Sequence, residues 1–207
     1  LVTVGDRTIF MATSHEQFLA LHADTLEQLR ALVGQVAAGE IGPRQFGDLM
    51  AAHLEEAHIE AVVIGRHHAG DLAPLEEDDR RFARTIVDHE AEFLAGFVSD
   101  LEDDRYLDAE GNFRLGAAQQ RASLYAGRLV GTANQTWGLT LPPETTLIYW
   151  LLDDGAASCS DCPSIASRSP YRPDDMPTWP GQGETQCLSN CRCVTRTASG
   201  QTGFQLP

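Results

Sequence analysis

Five cysteines, Cys159, Cys162, Cys187, Cys191 and Cys193, fall within the last quarter of a 207-residue chain. They read C-S-D-C and, 24 residues later, C-L-S-N-C-R-C. A two-residue spacer lets Cys159 and Cys162 turn both sulfurs onto one metal ion, and the second cluster offers three more thiols. Four thiolates suit tetrahedral zinc, so all five residues are candidate ligands of one structural zinc ion. Disulfides are the competing reading. Full pairing of five cysteines leaves one thiol over, and no stretch resembles a secretory signal. A thioredoxin-like redox pair fits less well, because Asp161 between the thiols opposes a thiolate and Pro163 follows the second.

The other polar clusters predict less. His53 and His58 lie in HLEEAH, which is not the HExxH spacing of zinc proteases. A five-residue step turns the rings about 140° apart on a helix, so both are expected as partly exposed helix histidines. His67 and His68, in a Gly-flanked loop, form a second metal candidate with Asp71. His89 falls on an apolar helical seam and is expected in the core or at its boundary. The acidic pairs Glu55–Glu56, Asp78–Asp79, Asp103–Asp104 and Asp153–Asp154 read as solvated faces, since sequence neighbours point apart on a helix. Asp153 and Asp154 lie closest to the cysteines. Ser158 and Ser160 have no evident base. There is no GxSxG, P-loop or GxGxxG. A non-enzyme is expected.

Charge narrows the partners. The net charge is −15, and all 15 basic residues are Arg. Residues 1–156 carry 11 arginines and 26 carboxylates, whereas residues 157–207 carry four of each. An acidic body repels a phosphate backbone, so duplex DNA is a poor partner for it. A weak DNA contact is electrostatically open only to the neutral tail, through Arg168, Arg172, Arg192 and Arg196. No run of about 18 apolar residues exists, so no membrane span or membrane partner is expected. The chain begins at Leu1, which predicts a fragment or a processed form.

The elements that must position the cysteines follow from periodicity. Residues through Phe10 and Met11 read as a short strand or arm. Ser14, with Gln17 three residues later, predicts a capping box opening a first helix, whose stripe is Leu19, Leu26, Leu29, Val33 and Val36. Pro43 opens a second, buried along Phe46, Met50, Leu54, Ala57, Ala61 and Ile64 and broken by GRHHAGDLAP. A third helix is expected over about residues 75–101, with Phe82, Ile86, Phe93, Phe97 and Leu101 as its seam. A fourth spans about residues 113–137, with Leu124, Tyr125, Leu129, Val130 and Ala133 inward. TTLIYWLL, at 145–152, and CVTRT, at 193–197, read as strands. The long Pro-rich loop between them needs a tie at its ends, which a metal supplies. Trp150 is expected against the helices and Trp179 as a lid over the metal. The fold class is α+β, mainly α: a helical body followed by a small β-hairpin and zinc knuckle.

The stretch from Arg121 to Arg196 resembles the phage head-morphogenesis family, the Mu F-like minor head proteins. The residues that carry the likeness are RASLYAGRLVGTANQTWG, then IYWLLDD, then C-x-x-C, then PTWPGQGETQ and the terminal NCRC. The resemblance implies a division into an N-terminal helical region, 1–74, and a Mu F-like domain, 75–200, with the cysteine cluster at 159–193. It implies a structural virion component made in the host cytoplasm, partnered with portal and capsid proteins and acting in head assembly or DNA ejection; it does not imply catalysis. Family members often carry a His a few residues before CRC, and Cys187 stands near that place. Zinc is then expected on Cys159, Cys162, Cys187 and one of Cys191 or Cys193. The alternatives are a zinc-dependent hydrolase or nuclease, with Asp153 or Asp154 as base, and a binding module of a phage-derived toxin.

Overall fold

The computed structural model describes residues 2–4, 7–9, 12–155 and 159–206. Phe10, Met11 and Ser158 lie outside the described residues. Among the described residues, six α-helices and two small antiparallel sheets follow in the order β1 (Val2–Val4), β2 (Arg7–Ile9), α1 (Ser14–Ala37), α2 (Pro43–Ala69), α3 (Glu77–Glu102), α4 (Leu115–Gly127), α5 (Leu129–Thr140), β3 (Ile148–Leu151), α6 (Asp161–Arg168) and β4 (Val194–Thr197). The fold is α+β and mainly α, as expected.

Each helix starts or stops for a local reason. At α1 the cap is Thr13, one residue before the expected Ser14. Its hydroxyl accepts from the Glu16 N–H while Glu16 accepts from the Thr13 N–H, which satisfies two otherwise orphaned donors. Pro43 opens α2, and Gly70, with φ +92°, closes it. Only a residue without Cβ adopts that left-handed turn cheaply. The helix therefore runs to Ala69, past the expected break, and His67 and His68 lie in its last turn rather than in a loop.

α2 is the central helix, packed against α1, α3 and α5. Phe18 and Leu21, early in α1, meet Ala57, Ala61 and Ile64, late in α2, in one core with α5. Leu29, Leu32 and Val33 meet Phe46, Met50 and Leu54 in a second core closed by α3 and α4. The two helices thus run antiparallel. Both cores draw residues from either side of position 74. The stripe of α1 is Phe18, Leu21, Thr25, Leu29 and Val33, so Leu19 is exposed.

Two helical expectations need correction. On α3 the buried line is Ala83, Glu90, Leu94, Phe97 and Leu101; Phe82 and Ile86 are half-buried, Phe93 is 55% exposed, and His89 is exposed rather than in the core. The helix is turned to bring the Glu90 carboxylate inward, where Arg128 and His58 meet it. The single helix expected over 113–137 is broken at Arg128, where a turn bond from the Arg128 N–H to Tyr125 O ends α4. Leu124, expected inward, lies exposed on α4.

β3 and β4 pair antiparallel, with Trp150 opposite Thr195 and Leu151 opposite Val194. Burial alternates along β3, so Ile148 and Trp150 share the inner face. Ile148 enters the helical core, and Trp150 enters a third cluster made largely of cysteine.

Candidate metal centre

Three segments bring the thiols together. Cys159 precedes α6, and Cys162 lies in its first turn. Cys187 leads into a short 3-10 turn, Leu188–Asn190, in which Leu188 takes φ +51°. That turn folds the chain back so that Cys191 and Cys193 run into β4. The β3–β4 pairing then sets Trp150 beside them. A bond from the Gln186 N–H to Asp161 Oδ2, 2.9 Å, links the two knuckles directly. The Tyr171 hydroxyl donates to Ile165 O at 2.8 Å and closes the apolar side of the cluster.

The sulfurs converge. Cys159 Sγ lies 3.2 Å from Cys162 Sγ, and Cys162 Sγ lies 3.7 Å from Cys187 Sγ. Thiols of Cys159, Cys162 and Cys187 lie within 4.8 Å of one another, and so do those of Cys162, Cys191 and Cys193. These groups could hold a metal ion. Cys162, Cys191 and Cys193 are buried among Trp150 and Ile165, whereas Cys159 and Cys187 are half-buried at the rim.

The local electrostatics prepare two of the sulfurs as anions. Burial opposes ionisation of Cys159, but backbone N–H groups of Cys162 and Asp161 at the start of α6, together with the Cys162 thiol, bring it down to about 7. The Cys191 thiol donates to Cys193 and brings it down to about 6, against the effect of burial. Their partners move the other way. Burial and the neighbouring thiols push Cys162 up, and the Cys193 thiol and burial push Cys191 up. A cluster of sulfurs in which some ionise early and share protons with the rest is suited to taking up a cation and releasing those protons.

The loop from Pro177 to Cys187 is fastened by the helical body as well as by the cysteines. Trp179 is buried against Gly138 of α5, inside the helical core, and is not a lid over the thiols. Trp150, expected against the helices, is the tryptophan beside the thiols. A Cβ at Gly131 would meet the backbone of Gly181 and Gln182, so the loop lies directly on the helix. Asn134 donates to Pro180 O at 3.2 Å and Phe204 O at 3.0 Å, and accepts from the Phe204 N–H at 2.6 Å. Gln182 donates to Gln135 Oε1 at 3.0 Å. One buried amide thus holds both the loop and the C-terminal segment.

The remaining candidates are not gathered into a site. Asp71 is engaged by Arg66 at 2.7 Å and by the Ala73 N–H at 2.9 Å, while His68 Nε2 meets Thr202 O at 2.6 Å. Among the described residues, His67, His68 and Asp71 form no metal-binding group. Asp153 Oδ1 accepts from the Gly155 N–H at 2.9 Å, and Asp154 is exposed. His53 is half-buried, as expected, but His58 is fully buried.

The polar cluster around His58 carried no sequence motif. His58 Nδ1 lies 2.8 Å from Thr132 Oγ1, and its Nε2 lies 3.6 Å from Glu90 Oε2. Arg128 Nε stands 2.6 Å from Glu90 Oε1. The one available signal was Glu90 itself, in step with Ala83, Leu94 and Phe97 along the same helical face.

Comparison with known proteins finds no matching family model, no matching curated protein and no matching solved structure.

Proposed function

We propose that the chain is a structural component of a phage head, of the Mu F-like head-morphogenesis type, whose C-terminal segment is stapled by one zinc ion. The observation that carries the zinc reading is the convergence of five thiols from two knuckles separated by a long loop. Sulfur-only ligation supplies no open position for water, which is the form of a structural zinc site. Cys159, Cys162 and Cys187 with either Cys191 or Cys193 make up the four ligands. The zinc-finger precedent, about 10–16 kcal/mol of apparent binding energy, indicates the scale of stabilisation available to the segment.

The head-protein reading is supported by the residues that carry the resemblance. The segment RASLYAGRLVGTANQTWG forms α4 and α5, IYWLLDD supplies β3, and C-x-x-C and NCRC meet in one cluster. The helices and the loop PTWPGQGETQ are interlocked through Gly131, Asn134 and Gly138. Portal and capsid proteins are the partners in this reading. The exposed Arg168, Arg172, Arg192 and Arg196 leave room for a weak phosphate contact. A zinc hydrolase instead needs a water on the metal and a free base beside it. Asp153 accepts from the Gly155 N–H of its own loop, and Asp161, within the first knuckle, accepts from the Gln186 N–H.

Two measurements test the reading. Cobalt substituted for zinc reports the ligand set, and four sulfurs are expected; an oxygen-containing set with exchangeable water contradicts a structural site. Co-expression with the portal and capsid proteins of the same genome tests assembly. The chain is expected to sediment with heads, and a chain that stays entirely at the top of the gradient contradicts the head role.

A further inference from the structure

The five sulfurs form two triangles that share a corner. Cys159, Cys162 and Cys187 make one, Cys162, Cys191 and Cys193 make the other, and every edge is within 4.8 Å. Among the described residues no set of four thiols meets that spacing. A tetrahedral ion with bonds of about 2.3 Å sets its four sulfurs about 3.8 Å apart on every edge, so one zinc ion must draw a fourth sulfur in from the second triangle and leave the fifth unused. Two three-coordinate ions that share one thiolate use all five sulfurs and need no such movement.

Ligand softness selects the ion. Thiolates favour Cu(I) and Zn(II), and of these Cu(I) is the one content with three sulfurs. Burial of Cys162, Cys191 and Cys193 beside Trp150 and Ile165 keeps water from the inner triangle, which protects the reduced state of copper. Backbone N–H groups of Asp161 and Cys162 point at Cys159, and that of Asp153 points at Cys193. They offset part of the negative charge that five thiolates and two monovalent ions leave behind.

The geometry points to a second metal chemistry at this site: a two-ion Cu(I)–thiolate cluster in which the Cys162 sulfur bridges. It rests on the reading of the cysteines as a metal site, and it leaves the zinc form as the state taken up when zinc alone is offered. Binding exchanges thiol protons for Cu(I), with no change in the oxidation state of sulfur or copper.

The test is an anaerobic titration of the fully reduced chain with Cu(I) in competition with bathocuproine disulfonate, beside a parallel titration with zinc. The expected copper plateau is two ions per chain, with the luminescence of polynuclear Cu(I)–thiolate centres and a short Cu–Cu vector in X-ray absorption. Cys162→Ser is expected to abolish the Cu–Cu vector, and Cys159→Ser to keep one ion in the inner triangle, both with unchanged helical circular dichroism. A plateau of one copper ion beside one zinc ion overturns the two-ion cluster and leaves the zinc reading standing. Retention of the Cu–Cu vector in Cys162→Ser overturns the bridge. No uptake of either metal overturns both readings.

Discussion

Glu90 Oε1 and Arg128 Nε lie 2.6 Å apart where only 2% of the Glu90 side chain and 18% of the Arg128 side chain is exposed. The pair joins α3 to the break between α4 and α5, and Arg128 reaches on to Gln182 O at 3.3 Å. A carboxylate so buried is tolerable only while its cation is present. Arg128→Met is therefore expected to cost about 3–5 kcal/mol, read as a lower urea midpoint. Pairing it with Glu90→Gln is expected to recover part of that loss, because the uncompensated charge is gone. Strict additivity of the two changes contradicts the ion-pair account.

Gly131 leaves no room for a side chain beneath Gly181 and Gln182. Gly131→Ala is expected to cost about 1–3 kcal/mol through overpacking and to loosen the loop without unwinding α5. Hydrogen exchange checks this: faster exchange at 177–184 with unchanged protection along α2 is the expected pattern. Uniform loss of protection across the chain counts against it.

Cys162 belongs to both groups of thiols. Cys162→Ser is expected to reduce metal affinity by at least tenfold and to open the chain to protease in the knuckle segments, 159–168 and 185–193. Trp179 and Phe204 remain anchored in the helical core, so cleavage is expected to spare 177–182 and the helices. First cuts inside α2 or α5 contradict this division.

In the metal-free, reduced chain the acid–base behaviour of the sulfurs is open to measurement. Cys159 and Cys193 have folded values of about 7 and about 6 against an ordinary 9.0. A depressed acid contributes its full stability above the unfolded value and loses it as pH falls through the folded one. The reduced apo chain is thus expected to gain stability from pH 6 to pH 9. Above pH 9 the raised values of Cys162 and Cys191 act in the opposite sense, since the unfolded chain then ionises while the folded thiols resist. Thermal melts in chelator and reductant across this range check it, and a flat or falling profile between pH 6 and pH 9 contradicts it.

What was legible in the chain follows from how local the deciding forces are. The apolar stripe of α2 was readable because Phe46, Met50, Leu54, Ala57, Ala61 and Ile64 keep strict helical spacing, whereas the burial of His58 beside it was not. The seam of α3 was not, because an ion pair with a residue 38 positions away outweighs the apolar preference of Phe82, Ile86 and Phe93. The cysteine cluster was readable from spacing alone. The exchange of places between Trp150 and Trp179 was not. It depends on Gly138 leaving a slot on α5 that only the packed structure reveals. The order of the long loop was credited to metal alone in the sequence, yet Asn134, Gly131 and Gly138 hold much of it from the helical side.

The most direct measurement is metal content and thiol count on the same reduced, purified sample, before and after chelation. One zinc ion per chain, five titratable thiols after its removal, and faster hydrogen exchange confined to residues around the knuckles are the expected results. A sample that holds no zinc after growth in zinc-replete medium, with the knuckles protected regardless, contradicts the idea that a sulfur-held ion secures this end of the chain.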